Sequence, residues 1–254
     1  MVEAFAVASG KGGTGKTTST LALGMALAEE YDVTVVDADT GMANLLFHTG
    51  LGDADTTLHD VLLEGGAPIE AATYERFGMS VVPCGTSLAA FEAADPERLR
   101  TVVAELASTT DVLLLDSPAT LGSKSAVLPI VLADRVVVVL QPTIPALSDG
   151  LKVQEYALSY GSEIAGTLFN RVRGDVGDVT AKADRYFEGP LLGTIPESEA
   201  AGAARAAGEP LLAHAPDSPA AAAYREAAGV LDPRTGDADA VADRFRSAVI
   251  PEPP

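Results

Sequence analysis

A chain of 254 residues, 47% of them hydrophobic, has enough apolar material for one large buried core and is short for two domains. Its formal charge is −19, from 17 basic and 36 acidic side chains, and the acidic residues are spread along the sequence; this disfavours broad binding to DNA, which needs clustered Lys and Arg, and reads as a solvated acidic surface suited to a very salty cytoplasm. The single cysteine, Cys84, excludes an internal disulfide and argues against a thiolate-held metal or iron–sulfur cluster within one chain.

The first ten residues, MVEAFAVASG, carry no basic stretch of the kind that opens a signal peptide, and no run of about 18 apolar residues follows anywhere. A cytoplasmic protein is expected. The first apolar run, 4–9, reads as a strand. Further strand-like runs follow at 33–39, 79–85, 111–117, 135–142, 163–170 and 190–196. Several are apolar at consecutive positions, the pattern of strands covered on both faces. Helical patterns lie between them at 16–30, 57–64, 95–108, 123–132, 146–160 and 178–187, and two alanine-rich segments after residue 196 also read as helices. Pro219 fits a first helical turn behind Ser218 as its cap. The alternation predicts an α/β fold, a doubly wound and mostly parallel sheet flanked by helices, with ligands at the carboxyl ends of the strands. Residues 1–231 read as one domain. The stretch 232–240 reads as a linker to a short tail ending at residue 254.

Between the first strand and the first helix stands SGKGGTGKTT, residues 9–18. It holds two of the five lysines of the chain, Lys11 and Lys16. Gly10, Lys11, Gly12, Gly13, Thr14, Gly15, Lys16 and Thr17 satisfy the pattern G-x-x-x-x-G-K-[ST] in the strand–loop–helix setting that the pattern requires. Glycines let backbone N–H groups turn inward onto phosphate oxygens. The helix N-terminus adds positive potential, Lys16 can reach the β- and γ-phosphates as a point charge, and Thr17 can offer its hydroxyl to Mg²⁺.

With a lysine directly after the first glycine, KGGTGKTT is the deviant Walker A form and resembles the MinD/ParA family of P-loop ATPases. The resemblance runs to about residue 230. It implies the P-loop NTPase fold, binding of ATP with Mg²⁺ by the loop from Gly10 to Thr18, slow hydrolysis, and a homodimer that forms with ATP. Lys16 would then serve its own subunit's nucleotide as a catalytic residue, and Lys11 would cross the dimer interface to the partner's. VVDADTGMANL, residues 35–45, resembles the family's switch I. That match implies Asp39 for orienting or deprotonating the attacking water, and Asp37 for the metal side. DVLLLDSPAT, residues 111–120, resembles the Walker B strand and switch II and implies Asp116 as a metal residue. Asn170 in FNRV resembles the reader of the adenine edge, and Pro196 in GTIPES the other wall of the purine site. The segment 208–228 resembles the family's closing stretch and is expected only to complete the fold. Ala43, Leu46 and Thr120 depart from the residues usual in the division-site members.

The resemblance implies an ATP-gated dimerising switch that positions a cellular structure, with a protein partner or activator that the sequence does not name. A ParA-type partition ATPase acting on DNA is the alternative, but the 171–185 region offers Arg171, Arg173, Lys182 and Arg185 against Asp175, Asp178 and Asp184. An iron–sulfur carrier would need paired cysteines, and a module that binds ATP without hydrolysing it would not need Asp39 and Asp116. In the tail, 241–250 puts Val241, Phe245, Ala248 and Val249 on one helical face. Too little basic charge and apolar bulk accompany them for a membrane surface, so a docked or frayed terminal helix is expected, and peripheral membrane attachment is the weaker reading. His48, His59 and His214 show no ligand spacing and read as ordinary surface or core residues.

Overall fold

The computed structural model describes residues 2–119, 122–234 and 236–248, except the side chains of Lys124 and Ser125. Among these residues the strands are β1 (Glu3–Ala8), β2 (Val33–Asp37), β3 (Tyr74–Arg76), β4 (Met79–Val82), β5 (Val112–Asp116), β6 (Arg135–Leu140), β7 (Glu163–Val172) and β8 (Leu191–Pro196). They form one sheet in the order β3-β4-β2-β5-β1-β6-β7-β8, parallel except where β3 pairs with β4. The helices are α1 (Lys16–Leu27), α2 (Leu45–His48), α3 (Leu58–Val61), α4 (Leu88–Ala93), α5 (Leu99–Leu106), α6 (Lys124–Leu132), α7 (Ile144–Ser159), α8 (Gly177–Tyr186), α9 (Glu199–Ala207), α10 (Leu211–His214), α11 (Pro219–Leu231) and α12 (Ala238–Ser247).

Successive strand residues face opposite sides of the sheet, and both sides are covered. Phe5, Val7, Val35, Leu114 and Val137 pack with Leu21 and Leu23 of α1 and with Ala227 of α11. On the other face, Val36, Leu113 and Leu115 meet Val102 and Val103 of α5, while Ala6, Val136 and Val138 meet Val153 and Ala157 of α7. This double burial is why the strands read as consecutive apolar runs. Helix starts follow capping chemistry: the Thr143 hydroxyl accepts from the Ala146 N–H at 3.3 Å, and the Ser218 hydroxyl from the Ala221 N–H at 3.2 Å, with Pro219 in the first turn.

The sequence expectations differ from the fold in small elements. β3 has three residues at the sheet edge, half-buried or exposed, with no apolar run to mark them. α2, α4 and α10 have four to six residues, too short for helical periodicity to register. The helix expected over 95–108 begins as a 3-10 turn, Pro96–Arg98, where the Asp95 carboxylate accepts the Glu97 N–H at 3.0 Å.

At the amino end of the sheet, the chain after α11 is fastened to β1 and β6. Glu3 receives Arg135 in a bidentate pair, both contacts 2.7 Å, and both side chains are buried. The same guanidinium donates to the Leu231 carbonyl at 3.2 Å and the Asp232 carbonyl at 3.0 Å, and lies 4.8 Å from the centre of the Phe5 ring. The Arg234 N–H donates to Glu3 at 2.6 Å. Asp134 accepts the Ala4 N–H at 2.8 Å and pairs with Arg244 of α12. α12 lies against α5 with Phe245 and Ala242 buried and Val241 and Ala248 half-buried; Arg100 donates to the Ala248 carbonyl at 3.2 Å. Val249, on the apolar face of the tail, and Thr120, one of the departures in switch II, lie outside the described residues.

Candidate functional site

β1 lies between β5 and β6; the chain leaves it for β2 on one side and later crosses it from β5 to β6 on the other, so its carboxyl end opens at a topological switch point. The glycine loop starts there. Gly13 (φ 78°) and Gly15 (φ 94°) occupy left-handed backbone, and Gly15 caps α1. A Cβ on Gly15 would lie 2.2 Å from the Asn170 amide nitrogen, and one on Gly10 would lie 2.4 Å from the Asp149 carbonyl oxygen. The loop is therefore pressed between the end of β7 and the flank of α7. Inside it, the Thr14 hydroxyl donates to Ser9 at 3.1 Å and the Ser9 hydroxyl to the Lys11 carbonyl at 2.8 Å.

Asp37 and Asp116 end neighbouring strands in register. The Thr17 hydroxyl donates to Asp116 at 2.6 Å and the Thr20 hydroxyl donates to the other oxygen at 3.1 Å. Asp37 Oδ2 accepts the N–H groups of Asn44 and Leu45 at 3.1 and 3.0 Å; its Oδ1 is buried with no hydrogen-bond partner. Burial raises Asp37 well above the usual carboxylate range, with the Asp116 charge adding to it. Burial likewise pushes Asp116 up to about 6, against the hydroxyl of Thr17 and the charge of Lys16. Two adjoining buried carboxylates, an orphaned oxygen and a threonine hydroxyl make a hard oxygen donor set that a divalent cation fits. Lys16 is also buried. Desolvation lowers its pKa, and the carboxylates of Asp116 and Asp39 oppose that shift.

A cleft of about 510 Å³ lies over this floor. It brings together Gly12, Gly13 and Gly15 to Thr18 of the loop with Asp39, Asn170 and Pro196. Thr14 is buried, and neither it nor Gly10 forms part of the walls. Lys11 is exposed and is not in the walls either. Burial raises Asp39, which Lys16 and the amides of Met42 and Gly41 oppose; its Oδ1 accepts the Met42 N–H at 3.1 Å. Asn170 donates to the Thr14 carbonyl at 2.8 Å and accepts the Arg171 N–H at 2.8 Å. One amide N–H and one oxygen lone pair remain for a ligand.

Sequence reasoning gave no role in the site to several neighbours of this cleft. Tyr224, in the segment expected only to close the fold, lines it, and its hydroxyl lies 2.9 Å from that of Ser19 in α1. Arg171, also in the wall, holds a left-handed φ of 57°, uncommon for a residue with a side chain. His59 is buried, and its Nε2 lies 2.9 Å from the Thr40 carbonyl in the loop that carries Asp39. Neither Tyr224 nor His59 sits in a recognisable pattern. Of the basic residues after β7, Arg173 pairs with Glu197. His48 lines the cleft, and burial with the nearby Arg205 brings it down to about 4.

Residues 5–211 match the family model described as the CobQ/CobB/MinD/ParA nucleotide binding domain. An uncharacterized ATP-binding protein of Methanocaldococcus jannaschii is 42% identical over 211 residues, 82% of this chain and 79% of that one. The septum site-determining protein MinD of Thermotoga maritima is 32% identical over 212 residues, 78% of this chain and 77% of its own. Among solved structures, the MinD of Pyrococcus horikoshii complexed with Mg-ADP superposes with a TM-score of 0.83 at 33% identity, over 91% of this chain and 96% of that one. A family match across most of the sequence, with relatives more than 30% identical over three quarters of it, means that the chain belongs to the MinD/ParA family of nucleotide-binding P-loop proteins.

Proposed function

We propose that the protein is an ATP-hydrolysing switch that binds ATP with Mg²⁺ in this cleft, pairs with a second copy while ATP is bound, and in that state positions a cellular structure through a protein activator. The observation that carries the reading is the separation of the two loop lysines. Lys16 is buried at the cleft floor beside Asp116 and Asp39, whereas Lys11 is exposed and outside the walls. One subunit thus keeps a cation for its own nucleotide and offers a second to a neighbour. ATP carries more negative charge than one lysine and one Mg²⁺ neutralise, so the second lysine has a use.

The roles follow from placement. The loop from Gly10 to Thr18 turns its N–H groups onto the phosphates, with α1 adding its N-terminal potential. Thr17, Asp37 and Asp116 would hold Mg²⁺, which offsets charge on the β- and γ-phosphates. Asp39 orients the attacking water and takes its proton; its raised pKa makes it a stronger base than an exposed aspartate. Asn170 reads the adenine edge with its remaining N–H and lone pair, and Pro196 covers the other side of the purine. The MinD relatives support the positioning role. α12 buries Phe245 against α5, which supports a docked tail over a membrane anchor, and among the described residues no helix is long and apolar enough to cross a membrane.

Sedimentation with ATP and Mg²⁺, beside calorimetric nucleotide affinity, tests the reading. Lys16→Ala loses affinity for ATP. Lys11→Ala keeps that affinity and fails to dimerise. A charge-assisted hydrogen bond contributes roughly 1.5–3 kcal/mol, and two in a symmetric dimer shift its dissociation constant by about two to four orders of magnitude. Normal dimerisation of Lys11→Ala, or equal loss of affinity in both variants, sinks the proposal.

A further inference from the structure

We infer that His59 is a positioning residue for Asp39: its Nε2–H, seated on the Thr40 carbonyl, sets where the loop after β2 carries that carboxylate. The inference rests on the hydrolytic reading of Asp39. Thr40 contributes a carbonyl oxygen, which only accepts, so Nε2 is the donor and a neutral ring carries no hydrogen on Nδ1. Nδ1 is buried with no hydrogen-bond partner. A Cβ on Gly85 would stand 3.4 Å from it, so that side of the ring meets bare backbone. An unmet buried nitrogen costs stability, and an aliphatic side chain would avoid that cost. What histidine contributes in return is the hydrogen bond to Thr40.

The ring stands on a rigid mount. Asp60 accepts both the N–H and the hydroxyl of Thr57, at 2.8 and 2.9 Å, which fixes the first turn of α3. The Leu58 N–H donates to the Pro83 carbonyl at 2.8 Å beyond β4, and the Leu58 side chain is fully buried. Phe91 of α4 meets the imidazole edge-on at 6.2 Å. The loop is the softer partner: Gly41 and Met42 are exposed, and Met42 bonds back to Asp39. Among the described residues, the other hydrogen bonds of residues 39–42 are local, and His59 supplies the one from another element. A single bond one residue beyond Asp39 therefore decides the register of the carboxylate over the cleft, a matter of preorganisation and not of nucleotide affinity.

The test compares His59→Phe, His59→Asn and His59→Gln in the full chain. Glutamine places a donor where Nε2 stood; asparagine reaches only as far as Nδ1. ATP turnover of His59→Phe and His59→Asn falls about 10- to 100-fold, the scale of a small misplacement of a reacting group. Their affinity for a non-hydrolysable ATP analogue stays at the wild-type value, amide hydrogen exchange across 38–45 accelerates, and His59→Gln recovers both turnover and protection. If His59→Phe fails to fold, the glutamine and asparagine variants decide alone. Wild-type turnover and exchange in His59→Asn, or equal impairment of His59→Gln, overturns the inference. A wild-type chain that binds ATP and releases no phosphate sinks the hydrolytic reading instead; the exchange arm then decides whether His59 holds the loop, and unchanged exchange overturns that too.

Discussion

Gly15→Ala probes the join between the phosphate loop and β7. An alanine at φ 94° sits in left-handed backbone, which costs about 1–2 kcal/mol. Its Cβ would also stand 2.2 Å from the Asn170 amide nitrogen, closer than any carbon can approach, so that side chain must leave the Thr14 carbonyl. Losing that hydrogen bond and leaving a buried carbonyl unmet adds about 1–3 kcal/mol. The expected total is about 2–5 kcal/mol. With Asn170→Ala already in place the second cost is gone, and Gly15→Ala destabilises by only about 1–2 kcal/mol. Urea unfolding of the four proteins without nucleotide measures the difference, followed by circular dichroism because the chain has no tryptophan. An equal cost of Gly15→Ala in both backgrounds would mean that Asn170 yields freely, and would refute the reasoning.

Asp39→Ala is expected to keep ATP affinity and to slow phosphate release by at least about 100-fold, the scale of a lost general base, which traps the ATP-bound dimer; turnover at the wild-type rate removes Asp39 from that role. Glu3→Gln leaves the Arg135 guanidinium buried without its counter-charge and should cost about 3 kcal/mol in urea unfolding, whereas replacing both residues by methionine costs less. Asp116 offers a pH test. Its folded pKa, about 6, stands above the ordinary 3.8, so the native state binds this proton more tightly than the unfolded chain. Its contribution to stability is present below about pH 4 and is lost as pH rises through 6, and Asp116→Asn should flatten that part of the nucleotide-free stability profile. Deleting residues 236–254 should leave turnover per folded molecule unchanged but lower the urea midpoint, because Phe245 and Ala242 leave the core; an unchanged midpoint argues that α12 contributes nothing.

What the sequence made legible is what repeats or touches its own neighbours. Consecutive apolar residues such as Phe5, Ala6 and Val7 announced strands buried on both faces, and the spacing from Gly10 to Thr17 marked the phosphate loop. Asp116 could be placed at a strand end because four apolar residues precede it. Relations that close over long separations were not legible. Nothing near Tyr224 tells that its hydroxyl meets Ser19, 205 positions earlier. His59 looks like any lone histidine until α3 folds back against the loop at Thr40. Asn170 was identified only by resemblance, and its bond to Thr14 emerges when β7 comes up beside the loop. Edge strand β3 was lost for another reason: three partly exposed residues generate no hydropathy signal.

The fastening of Glu3 imposes an order on biosynthesis. β1 is made first and occupies the middle of the sheet, yet its opening carboxylate has no counter-charge until Arg135 arrives, 132 positions later. The clasp stays incomplete until the carbonyls of Leu231 and Asp232 and the amide of Arg234 have been added. Until Arg135 has been made, the central strand therefore carries a carboxylate that water must solvate. The nascent chain cannot complete this clasp at the amino end of its sheet before residues 231–234 have been made. Residues remote from the nucleotide thus tie the central strand to chain made 231 positions later.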